Sequence, residues 1–405
     1  MRRRSKMRST TQTRSKNRDP VTNGKLCTAT ELPKLPNRPR RSTAHTADRK
    51  KVVSFDNLTL SRKEGFQTKA EGPRREQPDE LTATQLRNLG ASARLEYDEQ
   101  RDIWHANLPT VKTTQLIELH EDLIDIVASN RQDGDKAKDA IGIEGSAGIG
   151  KTHAILDYVY GYHNEQIARH GRMTEAGDER WPVCRVGMTG NTGIKDFNRA
   201  MLAFYNHAGT QRGTAAQFAD RALDCVLSCE TKLLVVDDLH FLKQRSTSVQ
   251  ISNQFKYISN EFPLTIIFIG IGLRQRGLYS DGDYADGILG QSGRRITPLH
   301  LREFTIDSPG HRREWRRLLL AIEKQLVLAH KHQGMLVDRS DYLFGRSSGR
   351  IGPLTTLINR ACRRAIRTGS EYFDQDLLDR VRIDAASEQQ RPEMRVKIRD
   401  ASKAS

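Results

Sequence analysis

The sequence predicts a three-layer α/β fold: a parallel sheet covered by helices on both faces, with a small C-terminal helical lid. Three observations predict it. Gly145-Ser146-Ala147-Gly148-Ile149-Gly150-Lys151-Thr152 fits the P-loop pattern G-x-x-x-x-G-K-[ST] at every fixed position, between an apolar run at 140–144 and a helical stretch at 153–159. Apolar runs without polar alternation, such as Leu233-Leu234-Val235-Val236, take turns along the chain with helical periodicities, as parallel strands buried on both faces do. From His311 onward the pattern becomes all-helical.

Charge sets the outer boundaries. The net charge of +16 is concentrated in residues 1–75, which hold 21 Lys and Arg against 6 Asp and Glu, whereas the rest carries 45 against 44. The N-terminal stretch is rich in Ser, Thr and Pro and has few large apolar residues, so burial cannot offset its ordering entropy. It reads as a disordered polycationic arm suited to nucleic acid. The expected organisation is a basic tail over 1–78, a nucleotide-binding domain with its lead-in over 79–305, a helical lid over 306–386 and a disordered end over 387–405.

Within this frame a short helix is expected over 81–89, and 103–110 is expected to be extended because Pro109 opposes helix there. A helix over 113–129 should bury Leu116, Leu119, Leu123, Ile124 and Val127. Strands are expected at 182–188, 232–238, 264–269 and 297–301, the third beside the P-loop strand. Helices are expected around Phe197–Phe204 and over 215–229 and 249–262. In the lid, Trp315, Leu318, Leu319, Ile322 and Leu326 form one apolar stripe. Leu354, Leu357, Ile358, Ala361 and Ala365 form another, stopped by Gly369.

Several classes are disfavoured. The longest apolar run, 264–273, is half of the roughly 20 residues that a bilayer span needs, so no membrane role is expected. Cys27, Cys184, Cys225, Cys229 and Cys362 include no C-x-x-C pair, which argues against a zinc ribbon or disulfide framework and for a reducing cytoplasm.

The chemistry follows from the motifs. Glycines in 145–150 let successive N–H groups close around a phosphate at a helix N-terminus. Lys151 is placed to reach the β- and γ-phosphates of ATP, and the Thr152 hydroxyl to ligate Mg²⁺. Asp237, at the end of an apolar strand, has the form of a Walker B carboxylate for the Mg²⁺ shell. Asp238 stands where a carboxylate orients the attacking water, one methylene shorter than the usual Glu. Gly270-Ile271-Gly272-Leu273 offers no polar side chain at the end of the strand beside the P-loop, so slow hydrolysis is expected. Arg294 and Arg295 are candidates for a finger acting on a neighbouring subunit's nucleotide. Arg350 opens a lid helix and is a candidate nucleotide contact. Thr192 and Lys195, in and after a Gly-rich loop, are candidate DNA contacts.

The series P-loop, Val-Val-Asp-Asp-Leu-His-Phe-Leu, Ile-Phe-Ile-Gly-Ile-Gly, Gly-Arg-Arg and Ser-Gly-Arg-Ile-Gly-Pro-Leu resembles the AAA+ ATPases of DNA transposition, the TniB/TnsC type, with IstB and MuB as cousins. The likeness runs from Trp104 to Val381. It implies a AAA+ module that assembles as a homo-oligomer, ring or filament, on double-stranded DNA. It further implies that the module selects target DNA without sequence preference and activates a partner transposase. Asp at 238 and the missing polar sensor depart from the pattern. Two other readings share the core: a signalling or defence NTPase switching protein contacts, and a helicase-loader or initiator ATPase.

Overall fold

The structure, a computed structural model, describes residues 58–132, 138–188, 193–238, 262–274 and 296–403, all within the compact unit Phe55–Ser405. Five parallel strands form its centre: β1 (Ala140–Glu144), β2 (Val183–Gly187), β3 (Leu233–Asp237), β4 (Thr265–Gly270) and β5 (Ile296–His300), in the order β2-β3-β4-β1-β5. Successive strand residues face opposite sides of a sheet. Every residue of β3 and β4 is buried, so both faces are covered there. β1 lies between β4, with Ile141 opposite Ile267, and β5, with Ile143 opposite Leu299. Pro298 sits on β5, at the sheet edge, where a missing N–H is tolerated.

The helices preceding the lid are α1 (Lys63–Glu71), α2 (Ala83–Asn88), α3 (Ala91–Ala106), α4 (Thr114–Ser129), α5 (Lys151–His170), α6 (Ile194–Phe204) and α7 (Ala215–Ser228). The lid holds α8 (Pro309–Lys324), α9 (Ser340–Ser347), α10 (Ile351–Thr368), α11 (Gln375–Asp379) and α12 (Ala385–Lys403). Trp315, Leu319, Leu357 and Phe373 lie in a separate lid core, and Gly369 ends α10 in the left-handed region at φ 73°. The expected helix over 249–262 falls outside the described residues apart from Phe262.

Four expectations need correction. The tail does not run to residue 78: α1 packs on α5, with Phe66 fully buried against Tyr160, His163 and Phe204. One well-placed aromatic ring anchors a segment whose composition is otherwise polar. Residues 103–106 are helical, because Pro109 restricts only its immediate predecessor and α3 stops at Ala106, capped by Asn107. Ile124 is 55% exposed, although Leu116, Leu119, Leu123 and Val127 are buried as expected. The end is helix α12, which packs on α9. Arg346 bonds Glu388 at 2.7 Å and Arg391 bonds Asp379 at 2.7 Å, and Met394 is buried.

The lead-in also belongs with the lid. Arg101, fully buried, donates to both Glu371 oxygens at 2.6 and 3.0 Å and to Asp98 at 2.5 Å. The Trp104 indole donates to the Gln325 carbonyl at 2.6 Å, and His105 Nε2 accepts from the Val327 amide at 3.0 Å. Burial holds the His105 imidazole down to about 3, with the Arg101 and Lys331 charges adding to it.

Candidate nucleotide site

β1 delivers the P-loop and α5 receives it. Gly150, the N-cap of α5, sits at φ 89°, a region that glycine enters without strain, and no side chain caps the helix. The amides of the first turn of a 20-residue helix therefore face the loop, the arrangement that binds anions. The Lys151 ammonium donates to the carbonyls of Gly145 and Ser146 at 2.8 and 2.7 Å. Partial burial lowers its pKa from the ordinary lysine value, against Asp237, Asp238, Glu144 and Glu303, which act to raise it.

β3 brings Asp237 to the same place. Thr152 Oγ1 donates to Asp237 Oδ1 at 3.1 Å, and the Asp238 amide donates to that oxygen at 3.0 Å. Asp237 is 2% exposed, whereas Asp238 is exposed and takes a left-handed φ of 65°, which Asp tolerates better than most residues. The other Asp237 oxygen, Oδ2, accepts from Arg185 Nη2 at 2.7 Å. Arg185 lies on β2, where Gly187 is opposite Asp237, and its Nη1 donates to Ser61 Oγ at 3.3 Å. Sequence reasoning missed Arg185. The available signal was a lone cation inside the otherwise apolar run Val183-Cys184-Arg185-Val186.

The lid reaches the P-loop from the other side. The Gly352 amide donates to the Gly148 carbonyl at 2.8 Å, and a Cβ on Gly352 would stand 2.7 Å from that same oxygen, so only glycine fits without a shift. Arg350, the N-cap of α10, lies 3.7 Å from Glu303 Oε1, which also accepts from Ser146 Oγ at 2.8 Å. Burial pushes the Glu303 carboxyl up. Its own amide, Ser146, Arg350 and Lys151 outweigh this and hold it below the ordinary value.

The fold thus gathers the 145–152 loop, Asp237, Asp238 and Arg350 around one cradle. Arg294, Arg295 and Thr192 lie outside the described residues. Lys195 is exposed at the start of α6, with its ammonium 5.7 Å from the centroid of the Phe218 ring. β4 ends at Gly270, opposite Glu144 at the mouth of the loop, and supplies no polar side chain there. Among the described residues no group of three or more His, Cys, Asp or Glu is arranged to hold a metal by itself. A hydroxyl–carboxylate pair such as Thr152 and Asp237 instead fits an ion that arrives with phosphates.

A family model described as "Bacterial TniB protein" matches residues 104–286. The matched residues are fewer than half of the 405 in the chain. The matched segment spans Trp104, the P-loop, Arg185, Asp237 and Asp238. Glu303 and Arg350 lie beyond it. The Aeropyrum pernix ORC2 protein, solved as ADPNP–ADP complexes, aligns with a TM-score of 0.50 at 15% identity over 69% of this chain and 70% of that one. Cdc6p from Pyrobaculum aerophilum aligns at 0.47 and 13% identity over 67% of each chain. Domain III of Thermotoga maritima DnaA aligns at 0.36 and 12% identity over 66% of this chain and 91% of that one. No curated protein sequence matches. The fold is that of the P-loop AAA+ ATPases. No described helix is long and apolar enough to cross a membrane.

Proposed function

We propose that this chain is an ATP- and Mg²⁺-dependent DNA-binding ATPase of transposition, which holds double-stranded DNA without sequence choice, selects target sites and activates a partner transposase in the cytoplasm. The observation that carries the reading is the TniB match, laid over a cradle whose phosphate-facing and cation-facing groups converge. The ADPNP and ADP of the Aeropyrum pernix ORC2 structure, which shares the fold, support a nucleotide in the cradle.

The glycine-rich loop, the first amides of α5 and Lys151 would hold the phosphates, and Thr152 with Asp237 would hold Mg²⁺. Bound MgATP would supply the triphosphate and the cation that neutralises it. Asp238 would orient a water. Its short side chain and the apolar end of β4 support a slow turnover. Arg350, already beside Glu303 at the P-loop, would report an occupied cradle to the lid. Arg294 or Arg295 would reach the cradle of a neighbouring copy, which makes the working form a head-to-tail homo-oligomer. DNA would be gripped through its phosphates, which carry no sequence information.

The test is retention of duplex DNA with a non-hydrolysable ATP analogue, for the wild type and Lys151→Ala. Wild type is expected to retain more DNA with the analogue than without it, and to form ordered collars on the duplex in electron micrographs. Lys151→Ala is expected to lose the nucleotide-dependent part. Equal retention by both proteins at every analogue concentration would refute the reading.

A further inference from the structure

The near-neutral body of the chain conceals a basic lid. Residues 306–403 hold 20 Lys and Arg against 13 Asp and Glu. Part of that excess is organised on α8. Its inner face, Trp315, Leu318, Leu319 and Ile322, is buried in the lid core. Its outer face presents Arg313, Arg316, Arg317 and Lys324, all exposed, with only Leu320 among them at 36% exposure. At 3.6 residues per turn these five positions fall within an arc of about 100°, and Arg313 to Lys324 spans about 16 Å.

The acidic residues of α8 lie off this face. Glu323 is buried and accepts from the amides of Gly334 and Leu336 at 2.7 and 2.8 Å, and Glu314 is half-buried on the flank. Arg312, turned toward α9, pairs with Asp341 at 3.2 Å. Among the described residues none of the four outward cations has a carboxylate within salt-bridge distance.

We propose that this face of α8 is a phosphate-binding surface for the backbone of double-stranded DNA. The inference rests on the DNA-binding reading above and adds to it a site on the lid, on a different helix from Lys195 of α6. Charge complementarity selects the partner. A duplex carries one negative charge per about 1.7 Å of its axis, so a 16 Å row of cations meets several phosphates. A protein partner would need an apolar or aromatic centre that this face lacks, and a membrane would need the apolar face that α8 spends on the lid core. Because α10 of the same lid bonds the P-loop through Gly352, a grip here would be linked to the state of the cradle.

The test measures duplex affinity of the full chain, with the ATP analogue present, from 50 to 200 mM salt. Each phosphate contact contributes a slope of about −0.9 in log K against log salt. Arg313→Gln/Arg316→Gln/Arg317→Gln should therefore flatten the slope by about 2.7, so that wild type loses about 40-fold more affinity than the variant across that range. The basic N-terminal stretch contributes equally to both proteins and cancels. The corresponding triple Lys variant should keep the wild-type slope, and all three proteins should bind the analogue and melt alike. A salt-dependent wild type with an unchanged Gln variant overturns this proposal alone. A wild type that never binds DNA overturns the functional reading as well. A polyglutamate peptide released by the Gln variant, with duplex affinity unchanged, would assign the face to acidic protein and overturn it too.

Discussion

Arg185→Ala tests whether the candidate cation site is built from more than its two motif residues. The Asp237 side chain is 3% exposed and that of Arg185 14% exposed, and their 2.7 Å bond fixes Oδ2 while Thr152 and the Asp238 amide fix Oδ1. Removing the guanidinium leaves Oδ1 anchored and frees Oδ2, so the carboxylate can turn about its last torsion. Loss of an outer-shell partner of this kind typically costs 10- to 100-fold in metal affinity. That corresponds to about 1.4–2.7 kcal/mol. The assay is binding of a fluorescent ATP analogue at increasing Mg²⁺. The half-saturating Mg²⁺ concentration should rise by that factor, while affinity in EDTA stays at the wild-type level because Lys151 and the loop are untouched. Arg185→Lys should recover part of the loss, and Ser61→Ala should show a smaller one through the 3.3 Å bond to Nη1. Half-saturation that is unchanged or lower in Arg185→Ala, in a protein that still melts cooperatively, would refute the reasoning.

Two further outcomes concern the lid. Glu371→Ala leaves Arg101 buried without its main partner and should destabilise the chain by about 3–5 kcal/mol, read by denaturant unfolding. His105 has a folded pKa depressed to about 3 from an ordinary 6.5, so its stabilising effect is complete above pH 6.5 and is lost as pH falls toward 3. The loss should approach about 1.4 kcal/mol per pH unit, and His105→Gln should show a shallower fall of unfolding free energy below pH 6.5.

The parts of this molecule legible in the sequence are those fixed by local pattern. The P-loop is contiguous, and Gly150 needs no distant partner to take its left-handed conformation. Strands β1, β3 and β4 are apolar runs whose burial on both faces leaves no alternation, and the P-loop strand lies beside β4 as expected. What escaped reading is what long-range pairing decides. α1 looked like tail because one buried ring, Phe66, decides its fate against a basic background. α12 looked like a frayed end because ion pairs with α9 and α11 hold it, despite Pro392 inside it. Ile124 keeps the helical period, yet α4 buries a narrower stripe than the period allows. Arg185 has no local motif, since its meaning arises only where β2 lies beside β3.

The path of the chain adds a constraint that no single motif carries. α1 packs on α5 in the α/β body, α3 packs on α10 in the lid, and α4 returns to the body core. The chain therefore crosses between body and lid over 72–82, 107–113 and 301–308. On the lid side the crossing is rigid, because Arg101, Trp104 and His105 are bonded into the lid by buried groups that are costly to part. At the cradle the junction is slight: one backbone bond from Gly352 to Gly148, and the Ser146–Glu303–Arg350 contact. An anion entering the cradle would attract Arg350 and Lys151 and repel Glu303. The forces on the lid would thus act at the Gly352–Gly148 and Arg350–Glu303 contacts. Any displacement of α10 would be shared by α3, which packs on it.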